Sequence, residues 1–585
     1  MPNYEHFFTD EKIISALCKQ RMVFCRDAHG KEFLGKFLPG NQRTEKPSPI
    51  LSLMPPRSRW KRVCKQASNS HRQNTTNLKF TVKQLREASA PEDRSWIAAQ
   101  NELIESIRVK ALAKDRISFE SPKITPIPKD KSKLKYRLIA SYSDNLVDST
   151  VIGQCANYLR RKFDDAYFLE CSFAFRSPPD GQKPVTHHNA FEQLAKFWKE
   201  NQKGNQIQAY IAECDIQGFY DTIDREVILS CYDAAVLELK EKHGIGIDDR
   251  AKQVILAYLE SYTYNNYGRP KALSILGLNS ASTEVKDRDE TLQEFHAPER
   301  KYGVPQGGAL SVFFANLILH KADLAVMKIL ETQSSDGLYV RYCDDMVIAT
   351  LDEGITGRAL EAYTDELKKL KLVHHSPKSI VAYSGSKKRD FWNTKTKKTY
   401  LWGNKATVSS AMPWLAFVGY QLRYDGMVRI RPSSIQKELE KQRKLREKFL
   451  KSIETALEHD KPLNYSRREL LASLEGCLRA GAIGKRPALD LSCGLTESEF
   501  GWCKGFNELA SEHLPELQPI AQSQLRCLDR GLGKQLAIAK ASLAAHPKLL
   551  DSMKNGENNP TPKLKYSGKP RSYAGQLKPK STDGN

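Results

Sequence analysis

Between residues 120 and 430, short runs rich in β-branched and aromatic residues alternate with stretches whose apolar residues return every three or four positions. The runs Tyr136–Ala140, Gln208–Asp215, Gly337–Tyr342, Met346–Thr350 and Leu415–Tyr424 predict strands, with helices between them. Helical spacing also dominates from Phe80 to Arg116, and again from Pro432 to about residue 550. There Leu439, Leu445, Phe449, Ile453 and Leu457 share one face, and Ser433 with Gln436 has the form of a capping box. Polar residues at 271–300 predict an insertion loop, and the Lys-, Pro-, Gly- and Ser-rich tail from Asn555 predicts disorder. The fold class is α+β, followed by an all-helical C-terminal region.

Composition narrows what such a body can be. The 585 residues are 40% apolar, 27% charged and 9% aromatic, which excludes a disordered chain, a collagen-like fibre and a small disulfide scaffold. No stretch approaches the roughly 18 uncharged apolar residues of a membrane helix. The first residues lack the basic-then-apolar order of a secretory leader. Twelve cysteines form no C-x-x-C pair and no zinc-like cluster with histidine, as expected of a reducing, cytoplasmic setting.

The net charge of +22 is unevenly placed: residues 1–90 hold 17 basic and 7 acidic side chains, and residues 552–585 hold 7 and 2. Two basic ends point to a polyanion, either nucleic acid or an acidic membrane surface, unless they serve solubility alone. No amphipathic anchor favours the membrane. Within the first stretch, Arg57, Arg59, Lys61 and Arg62 surround Trp60, a pattern suited to stacking bases while pairing phosphates and equally to a solvated loop with one docked ring. Lys437, Lys441, Lys444, Lys448 and Lys451 line one helical face that fits a phosphate backbone, although Glu440 with Lys444 and Glu447 with Lys451 also make ordinary i,i+4 pairs.

Two segments carry candidate chemistry. In Leu338–Ala349, β-rich runs flank Asp344 and Asp345, the pattern of a tight hairpin with acids at its tip. Asp is a good turn residue, but adjacent acids beside apolar runs repel one another unless a cation lies between them. In the second segment a predicted strand ends at Asp215, followed by Gly218, Phe219 and Tyr220. Three carboxylates from two strand ends suit a pair of Mg²⁺ ions and phosphoryl transfer.

The order of motifs is more specific than either segment. Asp215, then Gly303-Val304-Pro305-Gln306-Gly307-Gly308-Ala309-Leu310-Ser311, then Tyr342-Cys343-Asp344-Asp345 resembles motifs A, B and C of reverse transcriptases, in particular the bacterial, group II intron-like lineage. Leu134–Ile139 is similar to the fingers strand, Ser172–Arg176 to the Tyr-Gly-Phe-Arg element, and Ser376–Ser379 to motif D. Phe417-Val418-Gly419-Tyr420 resembles the primer grip. The resemblance covers roughly residues 120–435 and implies a right-hand polymerase fold.

It also implies roles. Asp215, Asp344 and Asp345 become the catalytic acids and, with Ile216, the site of two Mg²⁺ ions, Mn²⁺ being an alternative. Lys135 and Arg137 would neutralise triphosphate charge, Tyr220 would exclude ribonucleotides, and Gln306 with Gly307 would approach the nascent base pair. Lys378 would protonate the leaving pyrophosphate. Arg176, Phe417, Gly419 and Tyr420 would touch nucleic acid. Val312 stands where the lineage has Pro, and Ala174 where it has Gly, without loss of a catalytic group.

The expected layout is a basic N-terminal extension (1–90), fingers (91–205), palm (206–430), thumb helices (431–470), a helical C-terminal region (471–552) and a disordered basic tail (553–585). That layout is similar to the defence-associated and abortive-infection reverse transcriptases. It carries the expectation of an antiviral role with dNTPs, a DNA product, a dedicated non-coding RNA as template, and an oligomeric or protein partner, but no membrane. Template-independent DNA synthesis and a relict fold serving as an RNA-binding maturase remain alternatives.

Overall fold

The computed structural model describes residues 2–35, 49–61, 63, 71–88, 95–130, 135–176, 185–277, 300–332, 337–379, 387–458, 470–471, 474–475, 478, 505–506, 518–545 and 573–574. Three helices open the chain: α1 (Asp10–Gly35), α2 (His71–Glu87) and α3 (Ser95–Leu112). An antiparallel ribbon of β1 (Lys123–Asp130) and β2 (Lys135–Ser141) follows, with Pro126 and Pro128 tolerated because, among the described residues, β1 pairs with β2 alone. Next come α4 (Leu146–Phe163) and α5 (His187–Asn201), the latter opened by a capping box of Thr186 and Asn189. Strand β3 (Ala209–Cys214) leads through the short α6 (Phe219–Thr222) to α7 (Arg225–His243), α8 (Asp249–Ser261) and α9 (Arg269–Leu276).

The long α10 (Ala309–Thr332) precedes the hairpin of β4 (Leu338–Tyr342) and β5 (Asp345–Thr350). The chain continues through α11 (Glu353–Lys369), α12 (Lys387–Asn393), β6 (Lys397–Trp402), β7 (Trp414–Phe417), β8 (Tyr420–Arg423) and β9 (Val428–Ile430). It closes with the helices α13 (Pro432–Glu458) and α14 (Gln518–Ala545). The architecture is mixed α/β.

A four-stranded antiparallel sheet, ordered β4-β5-β3-β6, lies at the centre. Its two faces belong to different cores, as the period of two along a strand requires. Ala212, Cys214, Met346, Ile348 and Tyr339 join the first core, with α4, α8, α10 and α11. Ala209, Ile211, Val347, Ala349 and Val340 join the second, with α5, the three-stranded β7-β8-β9 sheet and α14. Gln524 of α14 ties that second sheet down, its amide exchanging bonds of 2.8 and 3.0 Å with the Ile430 main chain. A third core joins Phe449, Ile453 and Leu457 of α13 to Leu532, Ala539 and Leu543 of α14.

Several expectations are corrected. The first 22 residues are no separable extension: Tyr4, Phe8, Ile13, Leu17 and Met22 lie in the first core. The helix expected from Phe80 begins at His71 and breaks before Ser95. The strand expected at Leu415–Tyr424 is a hairpin, because Val418 and Gly419 take φ of 41° and 92° and reverse the chain. Ser433 does not cap α13, which starts with Pro432 as its first residue, a position where a missing N–H costs nothing. The expected insertion at 271–300 is helical to Leu276, and 278–299 lie outside the described residues. Within the tail, Tyr573 is buried against the second core. Among the described residues α10 alone has the length and hydropathy of a membrane span, and 72% of that window is buried inside the protein.

Candidate active site

The sheet register gathers the acids. Cys214 of β3 pairs with Met346 of β5, so one step further Asp215 and Asp345 are neighbours on the face that carries Ile211 and Val347. Asp344 lies in the two-residue turn between β4 and β5, where Cys343 has φ of 61°. The Asp345 carboxyl is pushed up to about 7, first by desolvation among surrounding protein atoms and then by the charges of Asp344 and Asp215. Its side chain nevertheless opens to solvent, so water and ions reach it. Lys395 and Arg431 act in the opposite sense on the same group.

Asp215 is held from several sides. Lys395 Nζ lies 3.1 Å and His375 Nε2 3.5 Å from its Oδ2. Its amide donates to Thr396 Oγ1 at 3.0 Å, and its carbonyl accepts from the His375 amide at 3.0 Å. Ile216 is buried, and its main chain bridges to His374. The donor set is three hard carboxylates with excess negative charge, which fits a divalent ion such as Mg²⁺ in kind. Among the described residues, however, no three His, Cys, Asp or Glu side chains converge on a common point. In this arrangement the partners of Asp215 are Lys395 and His375 rather than the other two acids.

The remaining candidates surround this cluster. Tyr220 is half-buried, its hydroxyl 3.3 Å from Cys343 Sγ, and burial raises the pKa of both, that of Cys343 to about 12. The Gln306 side chain donates to Asp221 Oδ1 at 2.7 Å, while its carbonyl accepts from the Ala140 amide of β2 at 3.1 Å. That contact joins the ribbon bearing the exposed Arg137 to the 303–308 loop. Gly307 is exposed with φ of 91°, whereas Gly308 is demanded by packing: a Cβ there would meet the Tyr258 hydroxyl at 1.8 Å. Lys378 is exposed and joined to β6 only through its main chain in the bonds described, accepting from Lys398 at 3.0 Å. The Lys135 side chain and Arg62 lie outside the described residues.

The bonds described for the other candidates go to groups other than the three acids. Arg176 donates to the carbonyls of Leu169 and Ser172 at 2.9 and 3.2 Å and to that of Asp164, so its guanidinium serves the chain itself. Phe417 and Tyr420 are buried in the second core, Tyr420 bonding His188 Nδ1 at 2.8 Å, and the Gly419 carbonyl receives the Arg431 amide. Trp60 is half-buried, donating to the Pro55 carbonyl at 2.9 Å, with Arg57, Arg59 and Lys61 exposed around it. Lys437, Lys441, Lys444, Lys448 and Lys451 are all exposed on α13; Lys441 pairs with Glu438 at 3.1 Å and Lys444 with Glu440 at 3.4 Å.

Sequence reasoning missed a buried network that holds the acid-bearing turn. Arg341 of β4 is fully buried and grips Asp323 of α10 through two bonds of 2.7 and 2.6 Å. It also donates to Ser172 Oγ at 2.9 Å, Asn316 Oδ1 at 3.2 Å and the Cys343 carbonyl at 3.0 Å. Tyr339 completes the set by donating to Asp323 Oδ1 at 2.7 Å. A signal was present: Arg341 stands in a strand otherwise apolar, where a lone cation needs a buried partner.

No protein-family model matches this chain, and no curated protein matches it. Among solved structures, a telomerase from Candida albicans in complex with a TWJ fragment of telomeric RNA is similar at 14% identity, covering 85% of this chain and 79% of its own, with a TM-score of 0.34. Apo telomerase from Candida tropicalis is similar at 13% identity, covering 83% and 76%, with a TM-score of 0.31.

Proposed function

We propose that the chain is a metal-dependent nucleotidyltransferase of the reverse-transcriptase kind, extending a primer 3′-hydroxyl with dNTPs on an RNA template. One observation carries the reading: the register of β3 against β5 brings Asp215 beside Asp345, with Asp344 in the adjoining turn. Sequence-distant acids meet at one end of one sheet, in the motif order of reverse transcriptases. Asp215, Asp344 and Asp345 would hold divalent ions, whose chemistry would be to activate the attacking hydroxyl and stabilise the leaving oxygens.

The rest of the work falls to side chains. Arg137 extends from β2 into solvent, on the ribbon that touches the Gln306 loop, and would draw triphosphate toward the acids. Asp221 orients Gln306 by accepting its amide, leaving exposed Gly307 as the face toward the base pair. Tyr220, steadied by Cys343, would stand against the sugar and disfavour ribonucleotides. The exposed lysines of α13 offer a row of ammonium groups to a phosphate backbone, so an RNA partner is part of the proposal.

Purified protein incubated with labelled dNTPs, Mg²⁺ and its co-purifying nucleic acid should yield a DNA product. Asp344→Ala/Asp345→Ala should reduce that product to background while leaving the far-UV spectrum unchanged. A product that persists in the variant, or none from the wild type, sinks the reading.

A further inference from the structure

We propose that Lys395 is a resident counter-cation of the carboxylate cluster, holding Asp215 until a divalent ion displaces it. In the β3–β6 ladder Glu213 pairs with Lys397. Asp215 lies just past the end of β3 and Lys395 in the bend just before β6, each two residues beyond the Glu213–Lys397 pair. The result is two acid–lysine pairs in succession, built alike and placed differently.

The inner pair is closed. Lys397 Nζ lies 2.6 Å from Glu213 Oε2 with its side chain 5% exposed, and the Tyr400 hydroxyl donates to Glu213 Oε1 at 2.6 Å. Separating these groups would strand a charge in the interior, so the pair is permanent. The outer pair is open: Lys395 lies 3.1 Å from Asp215 Oδ2 with its side chain 63% exposed. An ammonium so placed leaves its partner for water at little cost, because exposed ion pairs are weak. His375, 3.5 Å from the same oxygen and 40% exposed in its side chain, adds a second contact when protonated.

Lys395 therefore neutralises Asp215 in the ion-free protein, where Asp215 would otherwise face Asp345 and Asp344 with only His375 in contact. It also explains why the three acids do not converge on a common point: one of them is turned to a lysine. A doubly charged ion, by offering each carboxylate more than a single ammonium can, takes Asp215 from it.

This inference rests on the proposal that the acids hold a divalent ion, and the test separates the two. Mn²⁺ binding to the full chain is measured by electron paramagnetic resonance for the wild type, Lys395→Met, Lys395→Arg and Asp344→Asn. Removing the competitor should tighten Mn²⁺ binding by about threefold or more in Lys395→Met, with Lys395→Arg close to wild type. Without Mn²⁺, Lys395→Met should melt lower than the wild type, and Mn²⁺ should raise its melting temperature by more. Equal or weaker Mn²⁺ binding by Lys395→Met, with Asp344-dependent binding intact in the wild type, overturns the role given to Lys395 alone. Wild-type Mn²⁺ binding that is absent, or indifferent to Asp344→Asn, overturns both proposals.

Discussion

His320 sits in α10 with 2% of its surface exposed, its ring 4.3 Å from that of Tyr167 and its Nδ1 without a hydrogen-bond partner among the described residues. Burial pushes its pKa down to about 4, with Asp323 pulling weakly the other way. The folded value is below the unfolded one of 6.5, so the unfolded chain takes up the proton first as pH falls. The stability it contributes is complete above pH 6.5 and drains away toward pH 4. Between pH 7 and pH 5 the wild type should lose about 2 kcal/mol on this account. Urea unfolding at the two pH values should show a correspondingly smaller loss in His320→Leu; equal losses would assign the pH sensitivity to other groups. Nothing in the sequence marks this histidine, which reads as one more residue on a helix. The acids were legible because their neighbours are apolar; Lys395 was not, because a lysine in a polar stretch looks like surface.

Among elements, the β4–β5 hairpin shows how a legible strand pair can hide its support. Alternation revealed both strands and their acidic tip, yet the Arg341–Asp323 pair that braces the tip joins residues 18 apart on different elements, a relation no local pattern carries. Strand β6 was not predicted: it opens with Lys397 and Lys398, a residue type ordinarily exposed, whereas Lys397 is buried and bonded to Glu213. Removing one partner of a buried pair costs about 3–5 kcal/mol, because the other charge is left behind. Arg341→Met should therefore destabilise the protein by about that much, and Arg341→Met/Asp323→Leu should recover most of it. Incorporation of dNTPs should stay low in the double variant, since the Cys343 carbonyl still lacks its donor. Paired thermal unfolding and incorporation assays check this; recovery of both together would reduce Arg341 to packing.

Across the whole molecule, charge and burial separate the two basic regions that the sequence presents alike. Residues near the N-terminus combine exposed Arg57, Arg59 and Lys61 with core residues such as Tyr4, Phe8 and Leu17, so their removal is a structural lesion. The α13 lysines stand wholly outside, opposite Phe449 and Ile453. Replacing all five with Gln should leave the melting temperature nearly unchanged and flatten the salt dependence of RNA binding, by up to about 0.7–0.9 in log–log slope for each phosphate no longer neutralised. Deleting residues 1–22 should instead lower the melting temperature steeply. Filter-binding titrations from low to high salt, beside scanning fluorimetry, distinguish the two. Interleaved chain segments obscured this contrast, because the two cores draw on residues hundreds of positions apart. That interleaving also imposes an order in time. The described residues of the first core end at Leu372, whereas those of the second run on to Tyr573. At about 5–20 residues per second, a ribosome needs on the order of 10–40 s to make the intervening stretch. For the first part of that interval β6 and the β7-β8-β9 sheet are still unmade, and of the described elements of the second core only α5 backs that face of the central sheet, so a nascent chain carries its acids before it can hold them still.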